Sequence, residues 1–501
     1  MAIPFAFAIF LTNCGGVAGS LTSFPPPPVT NLSAADVSAL VQAAAQAADP
    51  NTMVIAVVDR AGRVLGVYHK PAAPTLVAGN FGALVDASEL AVSLARTGAF
   101  FSNDQAPLSS RTVRFISGIH FPPGITNAPN AALYGIENSN RGCTLSTNYA
   151  SGKNVPTARS ISGATTGLGI ATGKADLNDS DPTAVNPGGV PLFRNGSLVG
   201  GIGVAGAVPA VAEFAAYAAA TSNGFGPAPA APGVVFIDGV ALPFVNQTTR
   251  PAGVGSGNFS AALFVVGPSA SSGPPPEGTL VTPVAGLLGG LSASDVTGII
   301  NNAVATANTT RAVIRLPIGS SARMAIAVSD LDGTIIGMYR MADSTVFSID
   351  VAATKARNMV YFSGGARTAG DLTGVPMGTA VTNRTIGYGA QPFFPPGIDG
   401  SAAGPFFNLY QQDTANPCTQ GFQVAGPNQS GVVFFPGSVP LYRNGNLVGG
   451  LGVSGDGVDQ DDFVAAGGSA GFEAPVAIRA DQVIVRGVRL PYLKFPTNPT
   501  N

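Results

Sequence analysis

Charge is what this chain has least of. Asp, Glu, Lys and Arg make up only 10% of its 501 residues, against about 25% in an average soluble protein. The 25 basic residues nearly cancel the 27 acidic ones, leaving a formal net charge of −2. Nucleic-acid binding needs clustered Lys and Arg to displace counterions from phosphates, so that class of partner is excluded. Histidine is almost absent too: His69 and His120 are the two in the chain, and both lie in its first half. No Ser-His-Asp or Cys-His set therefore occurs in both halves, and a hydrolase reading has no support. The apolar run at the N-terminus is too short to cross a bilayer. Glycine (65) and proline (41) are plentiful instead, the mark of a neutral, loop-rich surface.

The feature that organises the chain is a repeat. Val190-Pro191-Leu192-Phe193-Arg194-Asn195-Gly196-Ser197-Leu198-Val199-Gly200-Gly201-Ile202-Gly203-Val204-Ala205-Gly206 returns almost unchanged at 439–455. Leu32-Ser33-Ala34-Ala35-Asp36-Val37 returns as Leu291-Ser292-Ala293-Ser294-Asp295-Val296, and Phe121-Pro122-Pro123-Gly124-Ile125 as Phe394-Pro395-Pro396-Gly397-Ile398. A period of about 250 residues is too long for solenoids or propellers, whose units run roughly 20–50 residues. Two tandem domains, each long enough to bury its own core, are the simpler reading. The expected division is an N-terminal signal and Pro-rich spacer over 1–30, copy one over 31–250, a Gly/Pro-rich linker over 251–290 and copy two over 291–501.

The N-terminal run ends at Cys14, as in a bacterial lipoprotein signal whose cysteine is lipidated, and Pro25 to Pro28 would act as a stiff spacer behind it. The alternative is simply an apolar terminus. The first reading places the protein in the bacterial cell envelope, lipid-anchored, periplasmic or secreted, with the anchor its one membrane contact. Cys143 and Cys418 occupy similar positions in the two copies. An oxidising compartment permits a disulfide between them, and two free, partly buried thiols are the alternative.

Along each copy, Ser33-x-x-Asp36 and Ser292-x-x-Asp295 read as capping boxes that start a helix. Apolar residues at three-to-four spacing follow, at Val37, Leu40, Val41 and Ala44 and at Val296, Ile299, Ile300 and Ala303. A hairpin comes next, then a second helix, then a long Gly, Pro, Asn and Ser-rich stretch. The hairpins around Asn195-Gly196 and Asn444-Gly445 have the preferred centre of a two-residue turn. A last short hairpin closes each copy around Gly239 and Gly487.

That order of elements, with Pro-Leu-x-Arg-Asn-Gly-x-Leu-Val-Gly-Gly-x-Gly-Val, resembles the haem-degrading or haem-binding-uptake-regulator-like family. The same family holds the glycolate-operon G protein and the C-terminal domain of a corrinoid adenosyltransferase. Copy two carries more of the pattern: Met338-Tyr339-Arg340-Met341, Lys355-Ala356, Gly452-Val453-Ser454-Gly455 and Asp459-Gln460-Asp461-Asp462. Copy one has His69 in place of Arg340, Leu94 in place of Lys355, and Val208-Pro209-Ala210-Val211 where the acidic helix start belongs. The resemblance implies an α+β class with two profilin-like domains, each a five-stranded antiparallel sheet with packed helices, here with an extra C-terminal hairpin. It also implies dimers, so the fused pair is expected to form a pseudo-dimer within one chain.

A ligand is expected near the Phe-Pro-Pro-Gly loop and the glycine-rich hairpin, with Arg114, Phe121, Arg384, Phe394, Gly203 and Gly452 as its candidate residues. Haem, or another anionic small molecule, is the ligand the resemblance implies; Arg114 and Arg384 would meet its carboxylates, and His69 or His120 would be the axial ligand. The bland readings stand beside these: salt bridges for the arginines, packing or exposure for the histidines. Asp456, Asp459, Asp461 and Asp462 suit either a hard cation or a helix N-terminus. No general acid–base pair can be named, so binding is expected ahead of catalysis. A structural or cell-surface interaction protein without a cofactor is the alternative.

Overall fold

The protein was described as a computed structural model covering residues 31–139, 169–174, 181, 183–226, 235–416, 419–423 and 428–500. Cys14, Cys143 and Cys418, with the lipidation and disulfide readings, lie outside the described residues.

Copy one starts with α1 (Ala34–Ala47), which is opened by a closed capping box. The Ser33 hydroxyl accepts from the Asp36 N–H, and the Asp36 carboxylate accepts from the Ser33 N–H at 2.8 Å. The hairpin β1 (Val54–Asp59) and β2 (Val64–His69) follows, then a small ribbon, β3 (Leu76–Ala78) and β4 (Leu84–Asp86). Next come α2 (Ala87–Phe101), α3 (Ser110–Phe115), the hairpin β5 (Gly189–Arg194) and β6 (Ser197–Ala205), α4 (Pro209–Ser222), and the closing ribbon β7 (Phe236–Ile237) and β8 (Val240–Ala241). The segment between the copies contains β9 (Phe264–Val266) and β10 (Gly278–Val281). Copy two runs α5 (Ala293–Thr309), β11 (Met324–Ser329), β12 (Ile335–Arg340), α6 (Phe347–Ser363), α7 (Asn383–Gly389) and α8 (Phe407–Ala415). It ends with β13 (Ser438–Arg443), β14 (Asn446–Gly455), α9 (Val458–Gly468), and the ribbon β15 (Ile484–Val485) and β16 (Val488–Arg489).

Each copy folds into a five-stranded antiparallel sheet, ordered β5-β6-β1-β2-β9 in one and β13-β14-β11-β12-β10 in the other. This is the expected α+β architecture, with the extra hairpin present in both copies. Asn195 and Gly196, like Asn444 and Gly445, all take positive φ, as a two-residue turn between twisted strands requires. The region 251–290, read from sequence as a linker, instead gives an edge strand to each sheet, β9 to copy one and β10 to copy two. In each copy one face of the sheet is covered by the first and last long helices, α1 with α4 and α5 with α9. The other face carries α2 or α6, lying almost on the strand backbone. A Cβ added at Gly203 would run into the carbonyl oxygen of Ala91, and one at Gly452 into that of Ala352. The glycine run is therefore what lets the helix approach the strand so closely.

The halves also share a core. One apolar cluster joins Val54, Ala56, Leu90 and Phe101 of copy one to Ala325, Met338, Phe347 and Ala353 of copy two. Phe101 stacks on Phe347 with ring centroids 4.3 Å apart. Equivalent residues meet at the junction: Tyr134 stacks on Tyr410 at 5.0 Å, and His120 faces Phe393 at 6.4 Å. Like positions in contact define a pseudo-twofold axis. Charge ties the halves as well. Arg60 pairs with Asp104 and with Asp343 of the other copy, while Arg315 holds Asp343 at 2.5 Å and the fully buried Asp456 at 2.7 Å.

Candidate functional site

Where the axis meets the surface, the two Phe-Pro-Pro-Gly loops face each other. Both Phe-Pro bonds, Phe121-Pro122 and Phe394-Pro395, are cis. Asp399, just after the copy-two loop, reaches across to copy one. Its carboxylate is 2.7 Å from His120 Nε2 and accepts from the Asn127 N–H at 2.9 Å; the Asp399 N–H donates to Asn127 Oδ1 at 2.8 Å. The His120 hydrogen bond and the Asn127 N–H hold the Asp399 carboxyl below the usual carboxylate range, so it is ionised at neutral pH.

Around this pair lies a small cleft open to solvent and lined from both copies, by Ile119, His120, Ala128 and Asn130 on one side and by Gln391, Phe393, Pro396 and Asp399 on the other. Gln391 is 2% exposed. Its Nε2 donates to Gly387 O at 2.7 Å, which fixes the amide's orientation, and its buried Oε1 has no hydrogen-bond partner. No Lys or Arg is among the described lining residues.

The expected site residues do not converge on one place. His120 is in the cleft. His69 sits on β2, with Nε2 2.6 Å from the Ser88 hydroxyl. Phe121 and Phe394 support their loops from beneath, each packed edge-on to one ring, Phe115 and Tyr388. Gly203 and Gly452 lie under α2 and α6, remote from any open surface. Arg384 is engaged by two carboxylates, Asp462 and Asp459, at 2.5 Å each. Arg114 donates to Ala184 O at 3.1 Å and is 3% exposed. The structural counterpart of Arg384 is Arg111, not Arg114: Arg111 pairs with Glu213 at 2.7 Å as Arg384 pairs with Asp462. Aligned capping boxes, Ser109 with Thr112 and Thr382 with Thr385, frame these two arginines and are the sequence signal that identifies them.

The acidic run is divided among buried cations. Asp456 binds Arg315, Asp459 and Asp462 bind Arg384, and Asp461 binds Lys355 at 3.0 Å. Among the described residues no group of three or more His, Cys, Asp or Glu side chains is placed to hold a metal ion. Lys355 is fully buried, its Nζ also donating to Val453 O at 2.8 Å. Burial pushes the Asp461 carboxyl up to about 7, against the pull of Lys355, and draws the Lys355 ammonium down. In copy one the corresponding positions are both apolar, Leu94 and Ala212.

Residues 291–470 match the family of haem degrading proteins described as HbpS-like. The match spans copy two from the start of α5 to just past α9; copy one is related to copy two by the internal repeat and the same sheet order. No curated protein matches the chain. Among solved structures, a PduOC complex with haem is 24% identical, covering 37% of this chain and 96% of that one, with a TM-score of 0.24. Klebsiella pneumoniae protein ORFY is 18% identical over 36% of this chain and 88% of that one, at 0.23. A double mutant of Streptomyces reticuli HbpS is 18% identical over 40% and 96%, at 0.21.

Proposed function

We propose that the protein binds a small polar molecule at the cleft where its two copies meet, and that it does so in the bacterial cell envelope. The observation carrying this reading is the concave surface itself, on which the two copies bring together the hydrogen-bonded His120–Asp399 pair and the buried Gln391 amide. An unsatisfied acceptor such as the Gln391 Oε1 is completed by a bound group, a water or a ligand, and this one belongs to a residue lining a concave surface. The HbpS-like match of copy two supports ligand binding as the general role, and the lipoprotein-like N-terminus ending at Cys14 supports the location.

Haem is the ligand that match brings into question, and the residues around His120 do not fit it. The enclosed space of the cleft lies far below the roughly 300–1,000 Å³ of ordinary small-molecule sites. The His120 ring is tied to Asp399 through Nε2, and Arg384, the arginine expected to meet propionates, is paired inside copy two. The proposed ligand is therefore smaller than haem. A thermal-shift screen of polar molecules should find compounds that stabilise the wild type and His69→Ala but not His120→Ala. Haemin should give no saturable Soret change; a saturable change lost in His120→Ala would replace this reading with haem binding.

A second reading, an interaction protein, is favoured by one observation. Leu287 and Leu288 are 92% and 62% exposed, on a turn whose backbone N–H groups at Leu288 and Gly289 are held by the buried Asp330. A screen without a single His120-dependent hit would favour it.

A further inference from the structure

We propose that the cleft takes a small organic cation, the ammonium or guanidinium head of a short molecule. This rests on the reading that the cleft binds a ligand at all, and it reverses the charge expected from sequence. The arginines expected to receive an anion are spent elsewhere: Arg384 on Asp459 and Asp462, its counterpart Arg111 on Glu213, and Arg114 is buried against Ala184 O. What faces the cleft is of the opposite character. Asp399 supplies a carboxylate with its charge intact, and two protein donors leave part of its capacity of about four lone-pair sites unused. Gln391 lines the cleft too, and its Oε1, buried just behind the surface and without a hydrogen-bond partner, can only accept, with its orientation set by the Nε2 bond to Gly387 O. Both groups ask for a donor.

The apolar lining agrees. The Phe393 ring and the Pro392 and Pro396 rings form part of the wall, a surface over which a weakly hydrated cation is attracted to the aromatic face and its pairing with a carboxylate strengthened. An anion would meet Asp399 with no Lys or Arg among the described lining residues to offset it. A neutral amide could satisfy Gln391 yet would leave the carboxylate unanswered. A lone water would satisfy Gln391 and make the cleft a solvated joint. These alternatives are separable.

The chain's two histidines make the test direct, since imidazole resonances of the full-length, histidine-labelled protein report His120 with His69 as internal control. The probes are n-propylammonium and methylguanidinium, with acetate and acetamide alongside, at fixed pH and matched ionic strength. The expected result is a saturable shift of His120 with at least one cation, a stationary His69, and no saturation with acetate or acetamide. Asp399→Asn should weaken cation binding at least about tenfold, the scale of one lost charge-assisted hydrogen bond. Gln391→Leu should weaken it as well, with His69 unmoved as the sign of an intact fold. Saturation by acetate or acetamide instead would overturn the cation while leaving ligand binding in place. No saturable response of His120 to any of the four probes would overturn both, leaving the cleft a hydrated joint.

Discussion

The buried pair Lys355–Asp461 offers a substitution experiment already written into the chain. Copy one solves the same position with Leu94 and Ala212, which are 1% and 4% exposed. Changing Lys355→Leu alone leaves Asp461 buried without its cation, beside Asp462, and with an Oδ1 that already lacks a partner. Breaking one side of a buried pair costs about 3–5 kcal/mol. Asp461→Ala alone strands a buried ammonium whose remaining acceptor is Val453 O, with a loss of similar size. The double change, Lys355→Leu with Asp461→Ala, removes both desolvation penalties at once. It should fall within about 1 kcal/mol of wild type or exceed it by up to about 4 kcal/mol. Urea denaturation followed by far-UV circular dichroism measures all four proteins, and the coupling energy follows from the cycle. A double variant as unstable as the sum of the singles would refute the claim that the pair is an isolated, self-compensating unit. The pH dependence has a definite sign. Because the folded Asp461 carboxyl lies near 7 and an unfolded one near 3.9, the folded state holds the extra proton between them. This group's contribution to stability therefore falls as pH rises through that window, by at most about 1.4 kcal/mol per unit, and Asp461→Asn removes it.

Glycine substitutions should split by what surrounds them. Gly452→Ala presses a methyl into the Ala352 carbonyl and should cost about 3 kcal/mol or more in chemical denaturation, whereas Gly298→Ala within α5 meets nothing and should gain about 0.5–1 kcal/mol. Asp295, held down to about 2 by Arg443 and by its capping bonds to Ser292, contributes stability above the unfolded carboxyl range that is lost as pH falls through about 2. Asp295→Asn should flatten that acid limb in a pH series of melting curves, and an unchanged limb would mean the carboxylate is not held. Phe347→Ala, which removes the ring stacked on Phe101 at the junction, should cost about 3–5 kcal/mol. A loss under about 1 kcal/mol would show that the copies do not depend on their shared core.

The repeat, the capping boxes and the Asn-Gly turns were legible as letters because each is local: a serine three residues before an acid, two residues that accept positive φ. The edge strands β9 and β10 were not. They are short, they sit among Gly and Pro residues that read as linker, and only pairing with β2 and β12 makes them strands. Arg384 was matched to Arg114 by its position ahead of the Phe-Pro-Pro-Gly loop, while the helix caps match it to Arg111. His120 was visible as a rare residue, but its partner belongs to the other copy, 279 positions away. Gln391 carries no signal at all in a linear reading; its importance comes entirely from the burial of an acceptor that no protein donor reaches.

Tyr134 against Tyr410 shows the constraint under which two identical subunits live: whatever lies on their axis must tolerate its own image. Joining the copies in one polypeptide lifted that constraint a few residues away. There a histidine looks at a phenylalanine, and an aspartate reaches over to an asparagine whose counterpart is Gly400. Identical chains could place such a mixed set only off the axis and in duplicate. A fused chain can evolve one asymmetric niche at its very centre, and substitutions on either side of it change one site rather than two.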